Sequence, residues 1–199
     1  MATVAFTTPS DSPFPLHRFT VDEYRRLGEV GVLTPEDRVE LLEGVVIEKM
    51  NHNPSHSGTV SVIEGFLNPL LPDGWFIRVQ DSVTTEDSEP EPDLAIVRGH
   101  RRDYLQRHPG PADTALLIEV ADSSLERDRY KCQIYARAGF PAYWIVNLVD
   151  RKIEVYTDPT GPSANRVYGR HEDCVETASV PVLIEQQEIA QLKVLELLP

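Results

Sequence analysis

ALLIEVADSSLERDRYKCQIYARAGFPAYWIVNL, residues 115–148, is the stretch on which the fold turns. Ala115–Val120 is a β-type run whose one charged residue is Glu119. Leu125 to Ala138 reads as a helix. Ser123-Ser124 supplies its N-cap, and Gly139 follows its last turn, where a left-handed residue closes a helix. Tyr143–Leu148 then reads as a strand.

Working outward, Lys152–Tyr156 is a further strand, with Val149-Asp150-Arg151 as the turn before it. Gly161 to Arg170 reads as a loop, and the tail VPVLIEQQEIAQLKVLELLP, residues 180–199, closes the fold with apolar side chains. Toward the N-terminus, Pro92–Val97 and Trp75–Val79 are short strands. Val60, Ile63, Leu67 and Leu70 recur at spacings of three and four. They predict a helix from about 56 to 71 that begins after Pro54 and stops at Pro72-Asp73-Gly74. VELLEGVVIEKM, residues 39–50, reads as a hairpin around Glu43-Gly44. Thr20-Val21-Asp22-Glu23 fits a capping box opening a short helix that stops near Gly28, and Thr34-Pro35-Glu36-Asp37 offers a second N-cap. Residues 1–17, rich in Pro, Ser and Thr, read as a loose arm, and 18–199 as one domain. The expected fold is α/β: a mixed β-sheet flanked by at least two helices, with an N-terminal hairpin extension.

Composition narrows the function classes. Of 199 residues, 41% are hydrophobic and 26% charged, as in an ordinary globular domain. No apolar run approaches the roughly 18–20 residues that span a bilayer, and the N-terminus lacks the pattern of a secretory signal. No membrane partner is expected. Two cysteines, Cys132 and Cys174, at no metal-like spacing, favour a reducing cytoplasm. The net charge of -13 opposes tight, non-specific binding of a polyanion. Dinucleotide, P-loop and serine-hydrolase signatures are lacking.

The chemistry-bearing residues lie on the predicted strand ends. Asp93 starts one strand and Glu119 lies near the end of the next. Antiparallel pairing of those strands brings the two carboxylates to one sheet edge. Facing carboxylates need a cation, a proton or an arginine between them, and an oxygen-only set suits Mg²⁺ or Mn²⁺. The backbone carbonyl of Val120 is a candidate third oxygen. Lys131, sharing a helix face with Asp128 and Tyr135, is placed to orient a water or neutralise a phosphate. Taken singly, Asp93 also fits a turn residue, and Lys131 a solvated partner of Asp128. Glu119 is harder to explain without a role, because an unpaired buried carboxylate is costly.

DRVELLEGVVIEKM, SEPEPDLAIV, LLIEVADSSLERDRYKCQIYARAGFPAYWIVNL and the apolar tail together resemble the Uma-two family of restriction-endonuclease-like proteins, from about residue 20 to the C-terminus. That family is placed in the PD-(D/E)XK nuclease superfamily. The resemblance implies a metal-dependent phosphodiester-cleaving core with Asp93 and Glu119 as acidic ligands. The E-x-K element calls for lysine at 121, where this chain has Ala121; Lys131 is the matching, displaced position.

Three accessory residues follow. Glu40 matches the family's E-L-x-x-G glutamate and is otherwise an exposed strand residue. His56 faces inward at the start of its helix, as a ligand or as a core histidine. Pro54 argues against His52 and His56 forming one helical metal pair. Gln80, before the PD element, is a candidate substrate contact. The expected activity is DNA cleavage with Mg or Mn. The alternative is a catalytically silent binding module on the same fold, and a homodimer is plausible because duplex cleavage needs two sites.

Overall fold

In a computed structural model, the structure describes residues 15–51, 53–162 and 166–199. Predicted features among residues 1–14, at His52 and at 163–165 lie outside the described residues. Among the described residues, no helix is long and apolar enough to cross a membrane.

The chain opens with helix α1, Val21–Glu29, and its capping box forms as the sequence predicts: Glu23 N–H donates to Thr20 Oγ1 at 3.2 Å, and Thr20 N–H donates to Glu23 at 2.8 Å. Strands β1, Val39–Leu42, and β2, Val45–Glu48, form a separate antiparallel hairpin. Its two-residue turn puts Glu43 at φ 48° and Gly44 at φ 76°. Two positive φ angles match the right-handed twist of the flanking strands. A Cβ at Gly44 would also lie 2.6 Å from Arg18 Cβ, so glycine is required there twice over.

Helix α2 runs Pro54–Leu67, with Pro54 at its first position and Asn53 capping the His56 N–H at 2.9 Å. It starts two residues earlier than the apolar spacing predicts. A 3₁₀ turn at Asn68–Leu70 replaces its expected last turn, because Pro69 cannot donate into an α-helical ladder.

The main sheet has six strands in the order β3-β4-β5-β6-β7-β8. They are β3, Trp75–Val79; β4, Leu94–Arg98; β5, Thr114–Ala121; β6, Ala142–Asn147; β7, Lys152–Pro159; and β8, Tyr168–Val175. Only the β5–β6 pair is parallel, joined over helix α3, Leu125–Ala138; its neighbours pair antiparallel. Every residue of β5 and β6 is buried, which is why both read as nearly unbroken apolar runs. β8 begins at Tyr168, so the last three residues of the predicted loop are strand; Tyr168 itself is buried, its hydroxyl donating to the Phe140 carbonyl at 3.0 Å. The tail folds into hairpin β9, Ser179–Ile184, and β10, Gln187–Lys193, followed by the short helix α4, Val194–Leu197.

Two apolar layers sandwich the sheet. On one face, Val60, Ile63 and Leu67 of α2 join Val180, Val182 and Leu192 of the tail against Leu116, Ile118 and Val120 of β5. On the other, Tyr135 and Ala136 of α3 pack with Phe140, Tyr143 and Leu117. The period-two alternation of a strand then decides the chemistry. Leu117, Glu119 and Ala121 share the α3 face, so the one carboxylate of β5 points beneath the helix that carries Lys131.

Candidate active site

β4 and β5 pair antiparallel with Leu94 opposite Ile118, which puts Asp93 and Glu119 side by side at the sheet edge. Asp93 stands one residue ahead of its strand rather than within it. Its N–H donates to Glu119 Oε2 at 3.2 Å, and the Val120 N–H donates to Asp93 Oδ2 at 2.8 Å. The two acids are thus laced together through backbone amides.

The accessory residues converge on the same edge. His56 Nε2 lies 3.0 Å from Asp93 Oδ2, and Gln80 Nε2 donates to Asp93 Oδ1 at 3.3 Å. Gln80 follows β3 at φ 50°, a left-handed conformation uncommon for glutamine, which turns its side chain onto Asp93. Lys131 Nζ reaches Glu119 Oε1 at 3.0 Å and Glu40 Oε2 at 3.0 Å. A lysine on the helix thereby reaches over a strand carboxylate, where the sequence pattern leaves Ala121. Lys131 is not a solvated partner of Asp128: it is 5% exposed, and Glu40, expected on one reading to face solvent, is 1% exposed. Val120 is buried beside the pair and engages it through its N–H, which donates to Asp93.

Three residues without an assigned role in the sequence complete the cluster. Arg127 Nη2 lies 3.3 Å from Glu40 Oε1, so Glu40 sits between two cations one helical turn apart. Tyr135 donates to Glu119 Oε1 at 3.3 Å. Asp128 is buried and accepts from Ser124 Oγ at 2.6 Å. The i, i+4 relation of Arg127 to Lys131 is the local signal that could have found the first of these.

The electrostatics are lopsided. Glu40, Asp93, Glu119 and Asp128 are buried around one buried ammonium. Burial raises the Glu119 carboxyl well above its ordinary range; Lys131 offsets part of that, and the carboxylates of Asp93, Asp128 and Glu40 add to it. Burial likewise pushes Asp128 up to about 6. Burial works against the charge on Lys131 too, but the attraction of Glu119, Glu40 and Asp128 exceeds it and raises its pKa, so the ammonium keeps its proton. Burial acts to raise Asp93 as well, yet its bonds from His56, Val120 and Gln80 leave it lowered and ionised.

These residues border a cavity of about 400 Å³ whose floor includes Asp93, Glu119, Asp128 and Lys131, with Arg38, Lys49 and Arg127 also on its walls. The donor set fits a hard divalent ion: excess carboxylate, oxygen atoms only, and space for water. Mg²⁺ typically takes one or two carboxylates and completes its shell with water and phosphate oxygens. Among the described residues, no three acidic, His or Cys side chains are grouped so as to hold a metal ion.

The mixed sheet flanked by helices is the restriction-endonuclease-like fold that the sequence predicts, with the lysine over its edge coming from α3 rather than from the strand. The chain belongs to the Uma-two family: residues 21–190 match its model, described as "putative restriction endonuclease". A crystal structure titled as a putative nuclease from Anabaena variabilis shares the fold with a TM-score of 0.69, covering 90% of this chain and 97% of that one at 18% identity. Among curated proteins, none matches.

Proposed function

We propose that the protein is a metal-dependent endonuclease that hydrolyses phosphodiester bonds of DNA. The observation that carries this reading is the convergence of Asp93, Glu119 and Lys131 on one cavity floor, from three separate elements. Asp93 and Glu119 would hold the ion. When bound, Mg²⁺ or Mn²⁺ supplies Lewis-acid polarisation of the phosphate and acidifies water. Lys131 holds a charged N–H donor over the reacting phosphate, where it orients the attacking water and stabilises the added negative charge. The water oxygen bonds to phosphorus, one ester P–O bond breaks, and the chain ends leave as an alcohol and a phosphate monoester. His56 and Gln80 fix the Asp93 carboxylate, and Glu40 fixes Lys131. Cutting both strands of a duplex would call on a second copy of the chain, and the expected setting is the cytoplasm.

The test is Mn²⁺- and Mg²⁺-dependent cleavage of duplex DNA, single-stranded DNA and RNA by the parent, Asp93→Asn, Glu119→Gln and Lys131→Met proteins. Losses of at least about a hundredfold are expected for each, the size typical of removing a group that stabilises developing charge. A Glu119→Gln protein as fast as the parent would overturn the reading. RNA cleavage alone would keep the chemistry and change the substrate.

One observation favours a second reading, a binding module without activity: the chain carries a net charge of -13, which a polyanion must overcome. Calorimetry separates the two. Mn²⁺ uptake that disappears in Glu119→Gln supports the enzyme, and no uptake by the parent supports the silent module.

A further inference from the structure

Beside the acidic cavity lies a second one, of about 360 Å³, between α1, the segment after it and the hairpin. The two share Pro35, Arg38, Lys49 and Glu91 as lining residues, so they are chambers on either side of one partition. The partition is built firmly. Lys49 pairs with Glu91, whose N–H donates to Glu40 Oε2 at 3.1 Å, tying the wall to the residue that holds Lys131.

The chambers differ in chemistry. Where the first is floored with carboxylates, the second presents Tyr24, Leu33, Pro35 and Val39, with Arg25 and Thr34 beside them and the shared charged partition as its border. The Tyr24 ring is held in place by its hydroxyl, which donates to the Val39 carbonyl at 3.2 Å. Arg38 stands at the boundary with its backbone at φ 50°, left-handed and uncommon for arginine. Its guanidinium bonds two neutral acceptors, the Asn51 side chain and the Met50 carbonyl.

Gly28 is the second, independent observation. It lies within α1, where glycine is the poorest helix former after proline. Its φ is not positive, and a Cβ built there meets nothing within 4 Å, so neither backbone nor packing calls for glycine. Yet Gly28 lines the second chamber. Gly28 is exposed, so a side chain there would project into open space at the chamber's rim. Val30 and Val32, on the turn that leaves α1, are 73% and 64% exposed, which makes this corner unusually apolar for a surface loop.

We infer that the second chamber is a nucleobase subsite, taking the base of the nucleotide next to the phosphate held over Asp93 and Glu119. This rests on the nuclease reading of the first chamber. A flat apolar ring beside an anionic linker is what the partition separates: Tyr24 and the aliphatic wall for the base, Arg38 for the phosphate joining the two nucleotides. Stacking on an aromatic side chain is tolerant of base identity, because every base presents a π-face. The base must be unpaired to enter, so the preferred substrate is single-stranded or frayed nucleic acid.

The experiment fills the chamber from Gly28. Gly28→Leu replaces a weak helix former by a strong one in open space, so the fold is retained. Binding of a fluorescein-labelled single-stranded oligonucleotide is compared with that of an abasic oligonucleotide of equal length, with Ca²⁺ in place of Mg²⁺ so that binding is read apart from cleavage. The parent should bind the base-bearing strand roughly tenfold more tightly, and Gly28→Leu should erase that preference. Equal affinity of the parent for both strands, or an undiminished preference in Gly28→Leu, would overturn the inference. Cleavage of bis(p-nitrophenyl) phosphate, too small to occupy both chambers, is measured on the same proteins. Cleavage by both proteins there, with a parent that shows no base preference, sinks the subsite alone; no cleavage by either protein sinks the nuclease reading, while the base preference is still read from the binding comparison.

Discussion

Replacing Lys131 by methionine tests whether the charged cluster is built as described. The ammonium is 5% exposed and lies 3.0 Å from both Glu119 and Glu40, which are themselves 4% and 1% exposed. Methionine fills similar volume, so the change removes a charge rather than opening a void. Breaking a buried ion pair by deleting one partner typically costs about 3–5 kcal/mol, because the other charge is left unmatched. For a domain of this size, about 1 kcal/mol moves the midpoint of thermal unfolding by roughly 2–4 °C, which puts the expected drop in the range of roughly 6–20 °C. Burial also shields the pair from salt, so the loss should persist at high ionic strength, unlike that of a surface pair. The assay is urea unfolding in chelator at pH 8 for the parent, Lys131→Met, Glu40→Gln and the double variant. Lys131→Met leaves Glu40 with Arg127 alone, and Glu40→Gln leaves Lys131 with Glu119 alone; because both single changes remove the same Lys131–Glu40 contact, the double should be more stable than the sum of the singles, by about 1–3 kcal/mol. A Lys131→Met loss below about 1 kcal/mol, or additive behaviour in the cycle, would refute the reasoning.

Two further outcomes follow from the geometry. Asp128 has its pKa raised to about 6 by burial, so the folded chain holds that proton more tightly than the unfolded one. Its contribution to stability is fully present below the unfolded value near 4 and is lost as pH rises through 6. Asp128→Asn in chelator should therefore be more stable than the parent at pH 8, by up to about 3 kcal/mol, with the gap closing near pH 4; an equal gap at both pH values contradicts this. Gly44→Ala forces a side chain into a left-handed turn and against Arg18 Cβ, and should cost about 1–3 kcal/mol. It should also lower cleavage more than a core change of equal cost, because the hairpin carries Glu40.

Much of the fold was readable because its centre is built from local signals. The strand, helix and strand at 115–148 announce themselves by apolar runs, a cap and Gly139, whose φ is 87°. Glu119 stood out because no apolar run carries a carboxylate without reason. The boundaries that shifted have plain causes: Pro54 opens α2 where the apolar stripe has not yet begun, and β8 starts inside a polar stretch because Tyr168 is pulled into the core. The surroundings of the site were less legible. Glu40 meets Arg127 and Lys131 across nearly half of the chain, and nothing in its strand reveals which cations will face it. The left-handed turns at Arg38 and Gln80 are set by what those residues must reach, which no local propensity records.

The hairpin, a sheet of its own, grips α3 at both ends. Glu40 and the Glu48 carbonyl take Arg127 near the helix start, and Glu43 takes Arg137 near its end at 2.7 Å. Neither apolar layer of the six-stranded sheet draws on a side chain of this hairpin. Folding and readiness for chemistry are therefore expected to separate in this chain. A molecule with its core complete and its hairpin undocked has Asp93 and Glu119 in place but a lysine with no second anchor. Amide exchange at 39–48 faster than at 115–121, with cleavage tracking the former, would mark the hairpin as the part that arms the site.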